Sequence, residues 1–220
     1  MKIHSVNVGL AQTIQVGERK MKSAFQKRSV QGAVAVKRLG LEGDEQVELA
    51  YHGGLDKAVY AYPLEHYPFW QERYQGQQSQ LFDSALPFGL VGENLTLSGL
   101  LEPDVYIGDE LHFPDCVLTI ASPREPCSKF NAIMGCSKAS KDMAIAGCCG
   151  FYLRVDKVGS LQAGQAFVGG HRGVQIQQAQ TGRGAGRPFK TVGVGNRAAQ
   201  HLIAAANTQD HTAPLPSPQI

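Results

Sequence analysis

The chain has 220 residues, 43% of them hydrophobic and 18% charged, with a formal net charge of +2. That length and balance suit one large globular domain, alone or with a small appendage, and exclude a disordered chain. So small a net charge gives no reason to expect nucleic acid or a membrane surface as partner, and no apolar run approaches the roughly eighteen residues of a membrane span.

In chain order, Met1–Val8 reads as a strand, with Ile3, Val6 and Val8 alternating imperfectly with polar residues. No basic-then-apolar leader precedes it, so the expected compartment is the cytoplasm. The basic stretch Arg19–Arg28 has only Met21 and Phe25 as large apolar residues. It is either a solvated face or a loop or strand reaching toward an anionic ligand. Ala33–Val36 is a strand. Leu39–Gln46 and Tyr51–Tyr62 are glycine-bearing turns that lead into a strand over Ala58–Tyr62, which Pro63 stops. Glycine pairs such as Gly53-Gly54 let backbone amides approach a ligand, but neither a Walker pattern nor a dinucleotide fingerprint is present. His52 is a potential proton donor or a structural turn histidine. Glu65–Tyr74 reads as a short helix with Pro68 in its first turn.

Further on, Gly92–Gly99 gives a strand with Leu95 and Leu97 on one face, and Val105–Phe113 a hairpin about Gly108-Asp109. A helix capped by Ser137 should end at Gly147, and a strand over Gly150–Val158 should pair with Gln165–Val168. Asp44 and Asp109 follow glycines and are expected to orient backbone. The sum is eight or nine strands and two short helices, with 25 glycines and 11 prolines supplying turns. This is a mainly β chain forming a closed or nearly closed sheet. After residue 170 the composition turns to glutamine, glycine, arginine and proline. The expected organisation is therefore a β domain over 1–170 and a short extension over 171–220, with one helix near 195–206 and a disordered tail.

Five cysteines without Cys-x-x-Cys spacing argue against a disulfide framework or a structural zinc site. Four of them read as core or surface thiols. Cys127 stands apart. The apolar run Val117–Ala121 delivers Ser122-Pro-Arg-Glu-Pro-Cys-Ser-Lys-Phe-Asn131, in which Pro126 stiffens the approach. Arg124 and Lys129 lie within three residues of Cys127 and should favour its thiolate. Such a sulfur can be a nucleophile, a soft metal ligand, or an inert thiol at a strand end.

Leu39–Gln46, His52–Val59, Gly92–Leu95, Val105–Asp109 and Arg124–Lys129, in that order, together resemble the MOSC-domain family, in its YiiM-type branch of 6-N-hydroxylaminopurine reductases. The resemblance runs from about Ser23 to Val168. It implies a β-barrel fold and a molybdenum cofactor, with Cys127 as the molybdenum ligand. It implies further cofactor contacts at Lys22, Ser23, Lys27, His52, Gly53, Gly54, Asn94, Arg124 and Lys129. Glu93 is an expected pocket wall, and His52 with Cys127 is the expected catalytic pair. The implied activity is reduction of N-hydroxylated purine bases and analogues, a detoxification, with electrons from a flavoprotein reductase and room for a homodimer. The family also carries an association with pyridoxal phosphate binding. Two rivals remain: persulfide transfer on Cys127, and cofactor carriage without turnover. The chain departs from its relatives in a shortened C-terminal helical segment.

Overall fold

In a computed structural model that describes residues 1–75, 85–170 and 174–175, fifteen strands and four α-helices form. The strands are β1 (Lys2–Val8), β2 (Gln12–Val16), β3 (Arg19–Ser23), β4 (Arg28–Ser29), β5 (Val34–Lys37), β6 (Gly40–Leu41), β7 (Val59–Pro63) and β8 (Leu95–Ser98). They continue as β9 (Tyr106–Ile107), β10 (Glu110–His112), β11 (Val117–Pro123), β12 (Phe151–Lys157), β13 (Gly159–Leu161), β14 (Val168–Gly170) and β15 (Val174–Gln175). The helices are α1 (Leu49–His52), α2 (Tyr67–Tyr74), α3 (Ser128–Ile133) and α4 (Ala139–Ala146). The helix expected near 195–206 and nearly all of the C-terminal extension lie outside the described residues. Among the described residues no helix is long and apolar enough to cross a membrane.

Eight strands make the main sheet in the order β14-β10-β11-β12-β7-β8-β1-β4, antiparallel except for β7 beside β8. The imperfect alternation of β1 has a local cause. A bulge between Ile3 and Ser5 shifts its register against β8, so Ile3 faces Leu97 while Ser5 faces Thr96. The sheet's two ends approach one another where Lys2 bridges Ala166, just ahead of β14, and Ile3 N–H donates to the Gln165 carbonyl. Among the described residues the fold is mainly β, as composition implies, and the strand pairing of the main sheet runs from β14 to β4 without a closed barrel being detected.

The central strands β7 and β12 are buried on both faces, and the alternation sorts two different interiors. Val59, Ala61, Phe151 and Leu153 face an aliphatic core with Ile3, Val6, Leu95, Leu97, Leu118 and Ile120. Each fully buried Val, Leu, Ile or Phe side chain among them contributes about 1.5–3 kcal/mol. Tyr60, Tyr62 and Tyr152 face the other way, into an aromatic and sulfur-rich cluster with Trp70, Phe130, Met134 and Met143. Helices α2, α3 and α4 supply much of that second layer.

Three local expectations fail for identifiable reasons. Tyr106–Ile107 and Glu110–His112 do not pair with each other: β9 pairs β15, and β10 pairs β11 and β14. The Gly108-Asp109 turn is instead locked to β11, with Gly108 N–H on the Ile120 carbonyl and Ile120 N–H on the Asp109 carbonyl. Similarly, Gly159–Leu161 turns away to β5, so Gln165–Val168 is not the partner of β12, which lies between β11 and β7. Helix α4 begins after Lys138 without a side-chain cap, although it does end as expected on a left-handed Gly147.

Candidate functional site

Strand β11 carries the chain to the site. Pro123 ends it, the Arg124 amide bonds the Gly150 carbonyl at 3.1 Å, and Pro126 leads to an extended Cys127 immediately before α3. Cys127 opens into a cleft with about 630 Å³ of empty space, its mouth included. The cleft has three walls: Ser23-Ala24-Phe25 with Lys27, the Asp44–Glu48 loop with His52 and Lys57, and the floor of Tyr60, Tyr152 and Arg124.

The expected site residues divide accordingly. Ser23, Lys27, His52, Asn94, Arg124, Cys127 and Lys129 all line this cleft, brought together from well-separated parts of the sequence. Lys22 does not. It is exposed on β3 opposite Thr13. Gly53 and Gly54 stand just behind the wall, where the Gly54 amide donates to Gln46 Oε1 at 2.8 Å. Glu93 is fully buried behind it, accepting from Tyr67, Thr96 and the Gly89 and Val91 amides.

Burial raises the Cys127 thiol, but hydrogen bonding from His52, the Arg124 charge and the Phe130 amide outweigh it, and the thiol is lowered to about 7. His52 Nδ1 lies 3.2 Å from the Tyr152 hydroxyl. Arg124 is 2% exposed and, among the described residues, has no carboxylate partner. Its guanidinium lies over Phe25, Tyr60 and Phe130, 5.2–5.7 Å from their ring centroids, and Nη1 donates to Met143 Sδ at 3.1 Å. A guanidinium stays charged even here. Three ring faces compensate it only in part.

The other cations are engaged. Lys27 pairs with Asp44, and burial lowers its pKa against that pairing. Lys129 pairs with Glu48 at 2.9 Å across the cleft. Asp44 also takes the Gly9 amide and the Asn94 side chain, which makes it an orienting residue. Asn94 bonds Tyr60 N–H, Asn7 and Asp44, so it braces the wall. Sequence reading missed Tyr152, Glu48 and the rings around Arg124. Tyrosines alternating inside otherwise apolar strands were the available signal, since buried hydroxyls need partners.

The other thiols behave oppositely. Burial pushes Cys116 up to about 11 and both Cys148 and Cys149 up to about 12. Among the described residues, no group of three or more His, Cys, Asp or Glu side chains could hold a metal ion.

Comparison with known proteins identifies the family. The MOSC domain profile matches residues 48–168. The uncharacterized protein YflK of Bacillus subtilis (strain 168) is 36% identical over 178 residues, which is 80% of this chain and 77% of YflK. Protein YiiM of Escherichia coli (strain K12) is 37% identical over 141 residues, 64% of this chain and 61% of YiiM. A protein named Reductase from Gibberella moniliformis (strain M3125 / FGSC 7600) is 33% identical over 146 residues, 66% of this chain but only 25% of that protein. The chain thus spans less than two thirds of YiiM and a quarter of the fungal protein. The crystal structure of YiiM from Geobacillus stearothermophilus superposes with a TM-score of 0.62 at 35% identity, covering 79% of this chain and 76% of that one. With more than half of its length matched by the family profile, the chain belongs to the MOSC-domain family and stands among its YiiM-type members.

Proposed function

We propose that the chain is a molybdenum-cofactor-dependent reductase of N-hydroxylated compounds, purine bases among them, with Cys127 as the protein's ligand to molybdenum. One observation carries this reading: of the cysteines, Cys127 lies in the cleft with its thiol brought down to about 7, whereas burial drives three of the others up to 11–12. A soft thiolate suits a dithiolene-bound molybdenum centre. The remaining donors fit as well. The described residues gather no metal-ligand cluster of their own, which suits a metal that would arrive bound to an organic group. Arg124, lacking a carboxylate partner, suits an anionic pterin. MOSC domains generally bind this cofactor.

When bound, the cofactor supplies the two-electron chemistry that, with two protons, converts an N–OH group to N–H and water. The chain's own residues do the rest. Cys127 would fix the metal's place and Arg124 would balance negative charge, Lys129 being already held by Glu48. His52, oriented by Tyr152, stands where it can pass a proton into the cleft. A flavoprotein reductase is the proposed source of electrons.

The first test is molybdenum and pterin content of protein purified from a cofactor-competent host. Cys127→Ala is expected to lose the metal and keep the fold by circular dichroism, and stoichiometric molybdenum in that variant defeats the ligand assignment. Turnover of N-hydroxyadenine with dithionite-reduced viologen then separates a reductase from a cofactor carrier. A persulfide on Cys127 in metal-free protein favours sulfur transfer instead.

A further inference from the structure

The two strands β2 and β3 form a hairpin of their own, with Gln12 opposite Ser23, Thr13 opposite Lys22 and Gln15 opposite Lys20. Residues directly opposite share a face. One face holds Ile14 and Met21, with Ile14 buried, and turns inward; the other holds Thr13, Gln15, Lys20 and Lys22 and is exposed. Arg19 at the turn and Arg28 on β4 are exposed as well. Among the described residues none of these four cations has a carboxylate within ion-pair distance. Glu18 lies in the hairpin's turn, and Glu45 takes the Ala11 amide just ahead of β2.

The hairpin is placed at the cleft. Its last residue, Ser23, and the next two line the cavity that holds Cys127, and β2 packs on α3, which starts from Cys127. On the opposite bank, beside Glu48, His52 and Lys57, Leu49, Tyr51 and Leu55 are 54–64% exposed. One bank is therefore cationic, and the other sets exposed apolar side chains among the charged Glu48, Asp56 and Lys57, a surface that can steer by charge and seat by apolar contact.

We propose that this mouth is the docking surface for an acidic, flavin-bearing electron-transfer protein, with the β2–β3 hairpin as its steering element. The inference rests on the reductase reading, since that reaction consumes two electrons per turnover and the sequence carries no flavin, haem or iron–sulfur motif. It also reassigns Lys22, which stands outside the cleft, from cofactor contact to partner contact.

The experiment uses cofactor-loaded protein with two electron sources, dithionite-reduced methyl viologen and a bacterial flavodoxin kept reduced by its NADPH-dependent reductase. Binding of oxidised flavodoxin to cofactor-free protein is titrated in parallel, at low and high salt. The double variant Lys20→Glu/Lys22→Glu is expected to raise the KM for flavodoxin about tenfold and to flatten its salt dependence. Viologen-driven turnover and molybdenum content should be unchanged, and Lys20→Arg/Lys22→Arg should behave as wild type. Unchanged flavodoxin kinetics in the charge-reversed protein overturn the proposal. So does failure of the wild type to bind flavodoxin or to accept its electrons while viologen-driven turnover is intact, and so does loss of molybdenum in the double variant. Absence of viologen-driven turnover instead strikes the reductase reading, and the binding titration then decides the docking surface by itself.

Discussion

Cys127 and Cys149 feel the same guanidinium, yet they lie at opposite ends of thiol chemistry. For both, burial is the foremost influence and acts upward, and for both Arg124 acts downward. Cys149 is nevertheless pushed up to about 12 while Cys127 is lowered to about 7. The difference lies in what else surrounds each sulfur. Beyond burial, Cys149 is pushed further up by its neighbours Cys148 and Glu102. Cys127 is instead met by donors, the His52 ring and the Phe130 amide, which favour the anion. A nearby cation alone does not make a thiolate: Cys127 has hydrogen-bond donors besides, whereas Cys149 has further negative charge.

The largest expected effect tests that contrast directly. At pH 7 about half of Cys127 is thiolate, against on the order of one part in 10⁵ for a thiol at about 12. The more basic thiolate is the better nucleophile, which returns part of that gap. Iodoacetamide should still label Cys127 at least about a hundredfold faster than Cys148 or Cys149, with a rate that rises with pH through about 7 and then levels. Peptide mapping by mass spectrometry reads this, and equal labelling would break the comparison. The next effect concerns the frame that holds Arg124 between the two sulfurs. Gly150, whose carbonyl takes the Arg124 amide, has φ +68°, and a Cβ there would lie 2.4 Å from the Ala61 carbonyl oxygen. Gly150→Ala should cost about 2 kcal/mol, roughly thirtyfold in the folded-to-unfolded ratio. A urea midpoint unchanged from wild type would mean that this corner yields without strain.

How much of this could be read from the sequence follows from what kind of contact each feature depends on. Cys127 was legible because its setting is local: a strand, two prolines and an arginine within a few residues. The edges of β7, α2 and α4 were legible because Pro63, Pro68 and Gly147 punctuate them. The two-sided burial of β7 was not, since Tyr60 and Tyr62 look alike until the helices covering them are known. The β9 and β15 pairing was hidden behind an attractive Gly108-Asp109 turn that long-range bonds to β11 overrule. His52 was visible as a candidate, but not its contact with Tyr152, a hundred residues away in the chain.

His52 sharpens the comparison further. If the ring's hydrogen bond is what separates Cys127 from Cys149, His52→Ala should move the midpoint of Cys127 alkylation from about 7 up by about one unit. At pH 7 the labelling rate then falls several-fold, and the lost reactivity returns at higher pH. A midpoint that stays near 7 would mean that Arg124 and the helix amide suffice, and the His52 bond would not be what sets Cys127 apart from Cys149.

The smallest expected effect falls on Lys129, the cation that sequence spacing paired with Cys127. In the fold its ammonium turns to Glu48 at 2.9 Å, with side-chain exposures of 8% for Lys129 and 34% for Glu48. A carboxylate that close cancels most of the field the lysine casts on the thiol. Because Glu48 remains partly in water, the pair should contribute less than about 1 kcal/mol to stability. Lys129→Met should therefore shift the Cys127 midpoint upward by only a few tenths of a unit. A rise of a full unit would show that Lys129 acts on the sulfur itself. The thiolate would then depend on its neighbours in the chain, and the His52 bond formed across the cleft would lose its first place.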